Sequence, residues 1–160
     1  MSIPVVRLRP AGAQDAALLL AVYASTRVEE LHVTGWTDEE KAGFCAMQSA
    51  AQLSHYKGHY PSAEYYVIEV DGDPAGRLFV DRWAQEIRIM DIALLPAQRN
   101  RGIGSDLLAD LQAEAAAGGK SLSIHVEQFN PALGLYTRLR FLLKEDKGVY
   151  WLMEWRSGIR

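Results

Sequence analysis

Apolar and charged positions alternate at the start of the chain. Val6 and Leu8 set against Arg7 and Arg9 predict a strand over Val5 to Arg9, ended by Pro10, Ala11 and Gly12. From Gln14 to about His32 the spacing turns helical. Leu18, Val22 and Leu31 lie near one stripe, and Asp15 comes early, where negative charge suits a helix start. Thr34-Gly35-Trp36 interrupts that helix. Thr37 then reads as an N-cap, and Glu40 completes a capping box for a second helix to about Tyr56. Lys57-Gly58-His59-Tyr60-Pro61 stops it.

The middle of the chain turns to strands. Tyr65 to Val70 is rich in β-formers, Asp71-Gly72-Asp73-Pro74 is a turn signal, and Gly76 to Val80 returns as a hairpin partner. A turn near Arg82-Trp83-Ala84-Gln85 leads to a longer strand, Glu86 to Leu94. A helix follows from Gly102 to about Ala117, with Ile103, Leu107, Leu108 and Leu111 on one face, and Gly118-Gly119 ends it. Ser121 to Val126 alternates as a strand. Pro131 to Leu139 is a short helix, and Val149 to Trp155 is the last strand. The predicted order is βααβββαβαβ, an α/β chain with a mixed sheet flanked by helices and one domain over 1–160.

Composition narrows the function classes. With 160 residues, 49% hydrophobic and 23% charged, the chain suits a globular domain with a full core. A net charge of -3 excludes a general nucleic-acid coat. The one cysteine, Cys45, permits no internal disulfide, and neither an apolar leader nor a membrane-length run is present, so a cytoplasmic protein without membrane or nucleic-acid partners is expected. The four histidines show no ligand spacing, so no metal is expected.

The chemistry concentrates after the longer strand. Leu95-Pro96 leads into the basic turn Arg99-Asn100-Arg101-Gly102-Ile103-Gly104-Ser105 and then a helix. Glycines let a ligand approach the backbone. The helix start offers N–H groups without intrahelical partners, and the arginines add fixed cations, so the turn suits a pyrophosphate. A Walker A loop needs a Lys after the second glycine, and Ser105-Asp106 stands there. A dinucleotide fingerprint needs a third small residue where Leu107 lies.

The segment Arg99 to Gly104 matches the (Gln/Arg)-x-x-Gly-x-(Gly/Ala) signature of the GNAT-type N-acetyltransferases, and Asp91 to Pro96 extends the match upstream. Asn130-Pro131-Ala132-Leu133-Gly134-Leu135-Tyr136 resembles the family's second motif, with Arg140 departing from a usual glycine before Phe141. The resemblance implies a mostly antiparallel sheet and acyl transfer from acetyl-CoA, a co-substrate, to an amine by direct attack. It implies a cradle at Arg99, Asn100, Arg101, Gly102, Ile103, Gly104 and Ser105, with Asn130 also at coenzyme A. A bulged strand carrying Ile92, Ala93 and Leu94 would meet the pantetheine arm through its backbone. Tyr136 would be the general acid.

The family's glutamate on the central strand falls on Arg88 here, so Glu86, Asp91, His125 and Glu127 stand as alternatives for a base. The amine acceptor, a small molecule or a peptide, is expected near Glu29, Glu30, His32 and Trp36, with Asp81, Arg82 and Trp83 at a hairpin end. The rival reading is an acyl-CoA-binding regulatory or scaffolding module without turnover. Acceptor identity and oligomeric state are not written in the chain.

Overall fold

A computed structural model describes residues 3–158. Strands β1 (Val6–Pro10), β2 (Glu64–Val70), β3 (Asp73–Arg82), β4 (Glu86–Leu94), β5 (Ser121–Glu127), β6 (Leu142–Asp146) and β7 (Tyr150–Trp155) form one sheet in the order β1-β2-β3-β4-β5-β7-β6. Each neighbouring pair is antiparallel except β4 and β5. The helices are α1 (Ala16–Ser25), α2 (Val28–His32), α3 (Asp38–His59), α4 (Ile103–Ala117) and α5 (Leu133–Arg138).

Strand alternation explains the two layers. Leu78, Val80, Ile87, Ile89, Leu122 and Ile124 turn to one face and pack with Ile103, Leu107, Leu108 and Leu111 of α4. Arg77, Phe79 and Asp81 turn to the other. There the Arg77 guanidinium lies over Tyr23 of α1 and the Phe79 ring meets Tyr56 of α3. The Thr37–Glu40 capping box forms as expected, each residue bonding the other's backbone N–H.

Two elements differ from the expected order. The first helix is not continuous to His32. Ser25 and Thr26 donate their hydroxyls to the carbonyls of Val22 and Tyr23, both at 2.7 Å. Such local bonds compete with the helical ladder and end α1, so α2 starts separately. The second difference is β6, an added edge strand in a stretch without alternation, whose five residues are all exposed. Pairing with β7 creates it, from Leu142↔Glu154 to Asp146↔Trp151.

At the sheet's far edge, Asp15 takes two bonds from Arg9, at 2.8 and 2.9 Å, and the Gly12 N–H at 2.8 Å. The guanidinium, first, and that N–H hold its carboxyl down at about 2. A lowered folded value means the contact stabilises above the ordinary 3.8 and is lost as pH falls towards 2. In acid titrations followed by circular dichroism, Asp15→Asn should flatten the loss of stability across that window.

Candidate active site

The site begins where the sheet parts. β4 and β5 pair through four positions, Glu86↔Ser121 to Ile89↔Ile124, and then diverge. On its other side β4 carries a bulge: Val80 faces Ile89 and Phe79 faces Asp91, leaving Met90 as the extra residue. The Tyr56 hydroxyl, 3.2 Å from the Met90 carbonyl, donates to it and pins the bulge to α3.

Hydrogen-bond alternation then decides which backbone groups face the gap. The Leu95 N–H donates to the Ala75 carbonyl at 2.8 Å, so that pair is bonded across β3 and β4. Bonded pairs alternate, which leaves Gly76↔Leu94 and Leu78↔Ile92 unbonded to each other. The N–H and C=O groups of Ile92 and Leu94 therefore point away from β3, into the opening. One such carbonyl, that of Leu94, already accepts from Arg99 Nε at 3.0 Å. The opening thus has an unpaired strand edge as one wall. Ala93, between them, turns its groups to β3, and the side chains of all three are half-buried.

Directly after this edge, Pro96–Gln98 makes a single 3-10 turn, and Asn100 and Gly102 adopt φ of 62° and 79°. Gly102 caps α4 without any side-chain bond to its first turn. The first N–H bonded back to it is that of Asp106, at 3.0 Å, which leaves those of Ile103, Gly104 and Ser105 facing outward. A β-carbon on Gly104 would meet nothing closer than Leu135 Cδ2 at 4.0 Å, so packing does not demand that glycine. The glycine leaves the backbone open to approach from outside. Arg99 also reaches the Ser25 hydroxyl at 3.2 Å, and Arg101 bonds Gln98. Arg99 to Ser105 thus follow one another round a single turn from the end of β4 into α4.

Tyr136 stands on α5 with its ring edge-on to Phe141, centroids 5.6 Å apart, and is 4% exposed. Burial, and then the negative charge of Asp91, push its phenol above the usual range, so it stays protonated at neutral pH. The Asn130 side chain accepts from the Ala132 N–H at 2.8 Å, forming a turn before α5 rather than capping it, since Ala132 is the cap. Arg140 adopts φ 70°, the left-handed conformation a glycine takes freely, and Phe141 is buried behind it.

The expected acceptor residues do not form one cluster. Glu30 is paired with Arg27 at 2.7 Å, Glu29 is exposed on α2, and Trp36 packs edge-on against Phe44. Asp81 is 1% exposed and accepts the Ser62 hydroxyl at 2.6 Å, a tie between β3 and the α3–β2 loop. Sequence reasoning missed Arg77, 2% exposed, with Nη2 bonded to Gln52 at 2.9 Å and 2.5 Å from Asp91 without hydrogen-bond geometry. Its one readable signal was a charge inside an otherwise apolar strand. Among the described residues, no group of three or more His, Cys, Asp or Glu could hold a metal, and no helix is long and apolar enough to cross a membrane.

A profile described as the acetyltransferase (GNAT) family matches residues 25–141, which span both the parted strands and Tyr136. The chain belongs to the GNAT family. Solved structures agree in fold. The chain is similar to PaiA N-acetyltransferase from Thermoplasma acidophilum in complex with coenzyme A, at TM-score 0.71, 14% identity, and coverage of 95% of this chain and 99% of that one. An acetyltransferase from Thermus thermophilus gives 0.69 at 19% identity, covering 98% and 99%. Salmonella typhimurium yncA with its cofactor acetyl-CoA gives 0.60 at 20%, covering 97% and 95%. No curated protein matches the sequence. As a GNAT chain, this one has the expected mixed, mostly antiparallel sheet, with β6 added to the order read from the sequence.

Proposed function

We propose that this GNAT protein moves an acetyl group from acetyl-CoA to a primary amine by direct attack, with Tyr136 as general acid. The single observation that carries this reading is the unpaired edge of β4, set against an uncapped helix start and a buried, protonated tyrosine. Pantetheine amides would pair with the groups of Ile92 and Leu94 like an added strand. The pyrophosphate would lie at the N–H groups of Ile103, Gly104 and Ser105, with Arg99 and Arg101 beside it and Asn130 at the α5 end. A backbone N–H of the same edge would take the negative charge that builds on the thioester oxygen. The amine forms the C–N bond, the C–S bond breaks, and the sulfur takes the phenol proton of Tyr136. The amine's proton leaves to water.

Cys45 is buried in α3 beside Tyr23 and Leu31, so no acyl-enzyme is called for. A binding module without turnover would not need a proton donor at Tyr136. Free thiol released from acetyl-CoA in the presence of a panel of amines tests the reading, and acetyl-CoA bound without any release would support the module instead. Arg99 offers a narrower test. Its guanidinium trades Leu94 and Ser25 for phosphate oxygens on binding. Calorimetry should show Arg99→Ala weakening acetyl-CoA about tenfold, with a shallower dependence on salt.

A further inference from the structure

On the face that carries Asp81, four polar side chains of β4 and β5 form one chain. Glu86 accepts from Ser123 and, at 3.0 Å, from Arg88 Nη2; Arg88 Nε donates to Ser123 at 2.8 Å. Arg88 Nη1 lies 3.3 Å from His125 Nδ1. A guanidinium only donates, so Nδ1 supplies the lone pair and the imidazole proton sits on Nε2. Burial, then the charge of Arg88, lower the proton affinity of His125 and keep it neutral, with Lys147 adding to the effect and Glu145 and Glu86 opposing it. The ring is therefore not a base: the lone pair it would use is occupied by a cation. It is a donor, and its Nε2–H has no partner among the described residues.

His125 lies one residue beyond Ile124, the last position paired with β4, and so at the mouth of the opening. Trp83 closes over Arg88 at 5.2 Å and stacks on Tyr60, which fixes the arrangement from α3's end. Across the gap, Asp91 presents a carboxylate near enough to Tyr136 to raise its phenol. Each carboxylate nearby has a cation beside it: Asp91 has Arg77 at 2.5 Å, Glu86 has Arg88, Glu127 has Arg27 at 3.9 Å, and Glu154 has Lys144 and Arg156; of these, Asp91 is the one that acts on Tyr136. Glu145 shares the row His125–Leu152–Glu145 but stands two strands away, about 10 Å. The opening thus offers a partly exposed carboxylate, with Arg77 behind it, on the β4 side and an N–H donor backed by a cation on the β5 side.

We infer that the acceptor is an amine that also bears a carboxylate, an amino-acid-type zwitterion, with its ammonium drawn to Asp91 and its carboxylate bound by His125 Nε2–H in front of Arg88. This rests on the acyl-transfer reading above. A diamine would bring a second cation to the Arg88 side.

The test uses the twenty L-amino acids, their carboxamides, putrescine and spermidine, with thiol release measured for the wild type and for His125→Phe and His125→Gln. At least one amino acid should exceed its own amide about tenfold in kcat/KM, chiefly through KM. His125→Phe should erase that preference while acetyl-CoA binding by calorimetry stays unchanged, and His125→Gln, which keeps an N–H donor, should retain part of it. Amides or diamines used as well as acids would overturn the inference. So would acetyl-CoA binding with no carboxylated acceptor consumed, or His125→Phe lowering acids and amides alike. Failure to bind acetyl-CoA at all would instead sink the acyl-transfer reading.

Discussion

Tyr136→Phe should cut kcat about a hundredfold while acetyl-CoA binds as before, because a positioned general acid contributes on the order of 10²- to 10⁴-fold. The ring and its contact with Phe141 remain, so folding should be intact. The direction of the phenol's shift shapes the expectation. A free phenol near ~10 is already a weaker acid than a thiol near ~8.5, and burial beside Asp91 weakens it further. Under the proposed mechanism, complete transfer would be favourable only where the departing thiolate is desolvated in the same place and its own proton affinity rises with it. Steady-state thiol release together with calorimetry checks this. Equal losses in kcat and in donor affinity would instead mark Tyr136 as part of the binding surface.

The second large effect is expected at Gly76. A β-carbon there would fall well inside contact distance of the Ala93 carbonyl oxygen and 3.1 Å from Leu94 Cα. Both are backbone atoms of β4, the strand proposed to meet the donor, so neither can swing aside as a side chain would. Gly76→Ala should cost about 1–3 kcal/mol in overpacking, read as a lower midpoint in urea unfolding. It should also weaken acetyl-CoA by more than the stability loss explains, because relief comes by displacing Ala93 and Leu94. Gly119→Ala is the control. Gly119 has open space around it, at φ 66°, and lies past the C-terminal end of α4, at the opposite end of that helix from the cradle. That variant should lose stability without losing donor affinity.

Much of the molecule is readable because local chemistry repeats what the tertiary structure needs. Thr37 and Glu40 announce α3, and the capping box forms with those residues. Gly102 announces the start of α4, and it sits at φ 79° at that start. What stays hidden depends on partners remote in sequence. Leu142 to Asp146 carries no period of its own and becomes a strand through β7. The end of α1 turns on hydroxyls that a helix also tolerates. Asp81 reads as an acceptor-site acid at a hairpin end, yet it is buried and accepts the Ser62 hydroxyl. Arg88 reads as the loss of a glutamate; only the register with Ser123 and the ring nitrogen of His125 reveal what it bonds.

Met90 can be viewed as a half-period phase shift. In a strand each residue counts as inside or outside by parity alone, and one inserted residue inverts every assignment after it. Ile89 before the insertion and Ile92 after it both face the α4 core, although their separation is odd. Deleting Met90 would restore plain alternation: Ile89 and Ile92 would keep the α4 face and Asp91 the other, and the ladder with β3 would run unbroken and lose its bend at the gap. The contact from Tyr56 to this residue acts like a parity check on the strand. The extra residue therefore changes the course of β4 and not its faces: without it the strand keeps its core side and loses the bend.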